Sequence, residues 1–417
     1  MYKSLFFCIF LLISLQTIAQ DTLVLSFDDA DQLFQEKNIS LLASALRIER
    51  AKALEVQAKV YPNPVFTAEI NAYDPQHQQA FHVGSSGQKG FQLEQLILIG
   101  GKRKAEIDMA KTNTAIAEIE FQKLLLELKY QLHISLFQAG QQQLLIQKYN
   151  KQLQFLDTLI QAFRVQVEKG NIPMNEFVRL KGAYIQLNNE RANLIQEFYQ
   201  TQTTIQTLLQ VTSIVIPKED QLDFSVYLNI QPVEDLIQLA KSQQLDLQII
   251  HQNQILAQQY LMYQKRVAIP DINIFVSYDQ RGGAFNNQLN TGISIPLPIW
   301  NRNQGAIKSA QLETQELEYT LKSRELELTN AIRNTYAAYK QTISEYVHTK
   351  ELYNDDFEKV QQGMSMNFQK RNISLIEFMD FFESYNQVIN ELSRIKTQLV
   401  INAEQFTILT GKELFKP

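Results

Sequence analysis

"VEKGNIPMNEFVRLKGAYIQL" occupies residues 167–187, and "FQKRNISLIEFMDFFESYNQV" occupies residues 368–388. The two stretches resemble each other. Each interrupts a long run of apolar residues spaced three and four apart, the mark of a helix with one buried face. Gly170 and Pro173 fall inside the first, and Gly with Pro is strong turn punctuation. The spacing therefore predicts two long helices joined by a short turn, twice in one chain.

The flanking sequence extends that expectation. Between Gly305 and Gly363 there are 57 residues without Gly or Pro, and from Arg103 to Lys169 only Gly140 interrupts. Helices of that length span roughly 85–100 Å at 1.5 Å per residue. They must pack side by side as coiled coils. Residues 169–174 make the tip of one antiparallel hairpin and 369–374 the tip of the other.

Other segments recur with a nearly constant offset. "VYPNPVFTAEINAY" (60–73) resembles "AIPDINIFVSYD" (268–279), and "LILIGGKRKAEIDMAK" (96–111) resembles "LPIWNRNQGAIKSAQ" (297–311). The chain thus divides into a first repeat, 20–213, a linker, 214–232, a second repeat, 233–411, and a tail, 412–417. Each repeat is expected to run as a helix (about 28–59, then 233–267), two short strands, a very long helix, a turn and a second long helix.

The strands are expected at about 65–74, 88–98, 272–280 and 288–297. Phe66, Ala68, Ile70 and Ala72 alternate with Thr67, Glu69 and Asn71. Ile272, Ile274, Val276 and Tyr278 alternate with Asn273, Ser277 and Asp279. Period two with one apolar and one polar face marks strands between two environments. The apolar face would lie on a core in a soluble protein and against lipid in an outer-membrane barrel. Alternation alone leaves both open.

Residues 1–19 read as a secretory signal: Lys3, an apolar run, Leu5–Leu15, and Thr17-Ile18-Ala19 before the expected cleavage. Cys8 is the only cysteine and lies within it. The mature chain would have no disulfide and no thiolate ligand. Without Lys3 there are 38 basic and 44 acidic residues, and no basic block suggests a nucleic-acid partner.

Four strands cannot close a barrel, and open edges are not tolerated in lipid. Several copies would have to share one. At this point the chain resembles a known family, the TolC family of outer-membrane efflux channels. It is most similar to the branch that serves resistance-nodulation-division (RND) pumps for heavy-metal ions of the cobalt-zinc-cadmium type. The residues that carry the resemblance are "YPNP" (61–64), "GGKR" (100–103), "PLPIWNRNQGAIKSA" (296–310) and both tips, in that order and duplicated.

The resemblance implies a mainly α fold with a membrane β-barrel portion: a homotrimer sharing one 12-stranded barrel in outer-membrane lipid, with a helical tunnel in the periplasm of a Gram-negative bacterium. It implies docking of a periplasmic adaptor, itself coupled to an inner-membrane RND-type pump, at Gly170, Asn171 and Ile172 and at Arg371, Asn372 and Ile373. The family usually has Gly where Arg371 stands, which puts the second turn's conformation in question. Glu377 and Asp380, three apart on one helical face, match the acidic pair that rings the periplasmic mouth. Trp300 would fall at the barrel rim or pack at a strand-to-helix corner.

No cofactor or catalytic constellation is expected, and "GGKRKAE" lacks the P-loop spacing. His77 and His82 lie in the loop between the first two strands. Two histidines fall short of the three or four ligands a metal needs, so no metal site is expected. His133, His251 and His348 are scattered along helices. The function expected is an exit duct of a tripartite efflux system for metal cations or small toxic compounds. An exit duct for type I protein secretion and a non-conducting periplasmic coiled-coil scaffold are the alternatives.

Overall fold

The computed structural model describes residues 22–218, 224–282, 285–353 and 355–415; the expected signal segment lies outside them. The chain divides into two compact units. One is drawn from residues up to Leu42, Leu124–Gln244 and Leu328 onward, the other from Ala43–Lys123 and Leu245–Glu327.

The elements follow in order: β1 (Thr22–Leu25), α1 (Phe27–Lys37), α2 (Ile39–Ala58), β2 (Val65–Ile70), β3 (Tyr73–Asp74), β4 (Gln79–Ala80), β5 (Gln88–Ile97), α3 (Lys102–Glu168), α4 (Met174–Leu209), β6 (Ile214–Pro217), α5 (Val233–Gln243), α6 (Leu245–Val267), β7 (Ile272–Arg281), β8 (Phe285–Ser294), α7 (Gln304–Leu352), α8 (Asp355–Gln369) and α9 (Leu375–Thr410). At 67 residues, α3 is about 100 Å long.

Two expectations about the helices need correction. The first helix of each repeat is broken, at Asn38 and at Gln244, both extended. Asn38 leaves the helix because its side chain has better partners. Its Nδ2 donates to the Leu208 carbonyl at 2.9 Å, and its Oδ1 accepts from Leu41 N–H at 3.1 Å. At the second break the carbonyl of Gln243 lies so near Gly411 that a Cβ there would meet it at 2.4 Å. The long helix of the second repeat also ends early, at Leu352, and α8 begins at Asp355. Within the linker segment, β6 pairs in parallel with β1, Leu23 opposite Val215.

The long strands form one antiparallel sheet in the order β2-β5-β7-β8. Its register sorts the side chains. Phe66, Leu93, Val276 and Thr291 lie across one row, and Ala68, Phe91, Tyr278 and Leu289 across another on the same face. Thr67, Gln92, Ser277 and Asn290 share the opposite face. β2 and β8 are the outer strands, each with one backbone edge unpaired among the described residues. β8 begins three residues earlier than expected.

The corners between strand and helix explain two of the motifs. Gly100 and Gly101 are both left-handed, with φ of 71° and 78°, and a Cβ on Gly100 would strike Ile269 at 2.9 Å. Lys102 forms an ion pair with Asp271 at 2.8 Å, and Arg103 lies 3.8 Å over the Tyr61 ring while donating to the Lys59 carbonyl. Thus "GGKR" meets Tyr61 of "YPNP" through Arg103 and the matching "IPD" (269–271) of the second repeat through Gly100 and Lys102. At the second corner Asn303, φ 59°, donates from Nδ2 to the backbone and side-chain oxygens of Gln264.

Candidate functional site

Both hairpin turns are built alike. After α3 the chain enters Gly170 with φ 73°. The N–H of Gly170 donates to Val167 O at 2.9 Å, and that of Asn171 to Gln166 O at 2.9 Å. This is the Schellman way of closing a helix, with one left-handed residue satisfying the last carbonyls. After α8, Arg371 takes the same conformation, φ 60°. Its N–H donates to Phe368 O at 3.0 Å, and that of Asn372 to Asn367 O at 2.8 Å. Arginine therefore holds the turn that glycine holds at the other tip.

The asparagines reinforce both turns. Asn171 Nδ2 donates to Gln166 Oε1 at 2.8 Å, and Asn372 Nδ2 to Asn367 Oδ1 at 3.1 Å. In each case the asparagine ties itself to the helix just ended. Ile172 and Ile373 follow, both half-buried.

The restart of the chain differs. Pro173 caps α4 by its fixed backbone alone, with no side-chain hydrogen bond. Ser374 caps α9 through a complete capping box. Its Oγ accepts from Glu377 N–H at 3.2 Å, and its N–H donates to Glu377 Oε2 at 2.8 Å. These bonds from Ser374, backbone first, hold the Glu377 carboxyl below its usual range. Glu377 is therefore a capping residue within its own chain as well as an exposed acid. Asp380 lies one turn further on, exposed, with its backbone carbonyl accepting from Ser384 Oγ.

The two hairpins pack on each other through one cluster. Tyr149, Leu153, Leu156 and Leu180 of the first meet Phe368, Leu375, Phe378 and Phe382 of the second. Phe368 stacks on Phe378 at 4.6 Å and on Phe163 at 5.9 Å. The structure thus brings the two sets of tip residues onto one support.

Trp300 is 86% exposed. Leu297 and Ile299 beside it are exposed too. The apolar face of the sheet is likewise open, with Leu289 at 76%, Ile293 at 66% and Phe66 at 65%. A soluble protein would cover such a face with a core or a partner.

Residues 236–412 match the outer membrane efflux protein family. This is the second repeat and little else. No curated protein matches the chain by sequence. Among solved structures the chain is similar to CusC, studied for folding and transmembrane channel formation, with a TM-score of 0.73 and 14% identity over 95% of this chain and 96% of that one. It is similar to the outer membrane protein VceC of Vibrio cholerae, with a TM-score of 0.72 and 13% identity over 93% and 96%. It is also similar to the open state of the MtrE outer membrane channel of Neisseria gonorrhoeae, with a TM-score of 0.73 and 13% identity over 93% and 89%. At such identities the likeness is one of fold, and it covers both repeats.

One group escaped the sequence reading. Asp74, three residues before His77, joins His77 and His82 in a compact cluster. The signal was present as "DPQH", but the weight of a single aspartate depends on a turn that only the folded loop reveals.

Proposed function

We propose that this chain is the outer-membrane exit duct of a tripartite efflux system. The observation that carries the proposal is the four-stranded sheet. It has two outer edges that no other described strand pairs and an exposed apolar face, in a chain that also carries duplicated helical hairpins. A lone sheet of this kind is incomplete in water and in lipid alike. Three copies joined edge to edge would give a closed barrel of 12 strands, within the range of bacterial outer-membrane barrels. The match of the second repeat to the efflux family and the likeness in fold to CusC, VceC and MtrE, described as membrane channels or an outer membrane protein, support the same reading.

In this reading Gly170, Asn171 and Ile172, with Arg371, Asn372 and Ile373, are the adaptor-docking tips. Two turns of one geometry on a shared aromatic support suit repeated contacts with a ring of adaptor hairpins. An inner-membrane pump of the RND type supplies the energy, so the duct itself needs no catalysis. Glu377 and Asp380, exposed just beyond the second tip, form the selective ring of the periplasmic mouth in the trimer. A ring of carboxylates favours cations. The cargo is then metal cations or small toxic compounds, a reading that follows the resemblance to the metal-exporting branch. Trp300 and its exposed neighbours sit at the barrel rim, where aromatics are enriched.

The test is the mass of the complex extracted in detergent from purified outer membranes. A particle of three chains that conducts ions in planar bilayers is expected. A soluble monomer in the periplasmic fraction would overturn the proposal in favour of a scaffold. The mouth is tested separately: Glu377→Ala with Asp380→Ala should abolish cation preference, and unchanged preference and conductance would remove these residues from the aperture.

A further inference from the structure

The loop between β2 and β5 draws three metal-ligating side chains to a point. Its short hairpin pairs Tyr73 with Ala80 and Asp74 with Gln79. Gln78 and Phe81 turn left-handed, with φ of 54° and 51°, and fold the chain tightly back. His77 Nδ1 then lies 2.8 Å, and His82 Nδ1 2.7 Å, from the same oxygen, Asp74 Oδ2. The imidazole rings are 4.8 Å apart. The His82 side chain is 9% exposed and that of Asp74 13%, so two of the three groups are largely withdrawn from water.

Two of the three groups, Asp74 and His82, have outer partners of the kind that hold metal ligands in place. Asp74 Oδ1 accepts the backbone N–H groups of Gln76 at 2.9 Å and His77 at 3.2 Å, which leaves Oδ2 turned toward the histidines. His82 Nε2 lies 3.0 Å from Ser86 Oγ. A histidine that donates from one ring nitrogen presents a lone pair on the other, and metal-bound histidines are held in this way. The backbone of His82 is fixed as well. Its carbonyl accepts from Gln88 N–H at 3.0 Å, and only a residue without Cβ fits at Gly87, where one would lie 2.0 Å from that carbonyl.

We propose that Asp74, His77 and His82 bind one divalent first-row transition cation, of the zinc or copper(II) class, through Asp74 Oδ2 and the two Nδ1 atoms. Water would complete the shell. Two imidazoles with one carboxylate suit these ions, whereas calcium and magnesium prefer all-oxygen shells. Ligand bonds of about 2.0–2.2 Å set neighbouring ligand atoms of a tetrahedron about 3.3 Å apart. The two Asp74–histidine separations, 2.8 and 2.7 Å, must therefore widen by roughly half an ångström, and the half-exposed His77 side chain has room for that movement. The inference rests on the loop alone and stands or falls independently of the exit-duct reading.

The full-length chain, purified in detergent, would be titrated with Zn²⁺ alone and then with Co²⁺ as a spectroscopic probe. One Zn²⁺ per chain is expected, and the visible bands of four-coordinate Co²⁺. Asp74→Asn keeps an oxygen for the two backbone N–H groups and so preserves the turn while removing the anionic ligand. That variant and His77→Ala should each weaken binding at least about tenfold with unchanged circular dichroism, while His251→Ala binds as the parent does. Absence of stoichiometric Zn²⁺ binding, or binding unaltered in Asp74→Asn and His77→Ala, would overturn the site and leave the trio as a hydrogen-bonded latch of the loop.

Discussion

The two hairpin turns have one backbone and two chemistries. The first uses glycine in the left-handed position and proline to restart the chain. The second uses arginine in the same position, with φ of 60° against 73°, and restarts with a serine–glutamate box. Equal geometry from unequal residues means that the turn is imposed by its hydrogen bonds and by the packing beneath it. The asparagine that follows the left-handed residue is the constant. The second turn bears the conformational cost of a β-carbon in the left-handed region, and its capping box offsets that cost.

The comparison can be broken most severely from below. Phe378 is buried between Phe368, Phe155 and Phe382. Phe378→Ala should destabilise the hairpins by about 3–5 kcal/mol, read from denaturant unfolding, and should loosen both tips, since they share this support. If only the second tip became protease-sensitive, the shared support would be wrong. Gly170→Ala tests the first turn in isolation, because nothing lies within 4 Å of the added methyl. The loss should be about 1–2 kcal/mol from the left-handed backbone alone.

Smaller effects sharpen the contrast. Ser374→Ala should cost about 1 kcal/mol, whereas Pro173→Ala should leave side-chain capping unaltered because none exists. Arg371→Gly should stabilise by about 0.5–1 kcal/mol. A loss instead would mean that the arginine side chain holds the turn. The smallest effect is that of pH. The folded-state pKa of Glu377 is depressed, so its contribution is present above the ordinary carboxylate value and is lost as pH falls through that value toward the lowered one. Glu377→Gln should flatten that dependence, and a melting series between neutral and acid pH reads it.

What was legible in the sequence was what repeats or alternates locally. The hairpins, their turns and the two-faced strands follow from spacing alone, because helix and strand periods are written in consecutive residues. What was not legible depends on residues far apart in the chain. Asn38 ends α1 because the Leu208 carbonyl waits 170 positions away. β1 exists because β6 arrives beside it, and four-residue strands give no periodic signal of their own. The position of Arg371 was legible, but its conformation was not: a left-handed arginine is readable only once the bonds around it are seen. At the candidate sites the same division holds. Glu377 was visible as an acid and hidden as a cap, and Asp74 was invisible until its loop had turned.

The open sheet has a consequence for how the molecule matures. β2 and β8 each carry a row of backbone donors and acceptors that no other strand among the described residues meets. In the proposed trimer, other copies meet them, so the last step of folding and the first step of assembly are one event. Its rate then depends on the concentration of chains and not only on time. A dilute chain waits, unfinished, with an adhesive edge on either side, and a crowded membrane completes it.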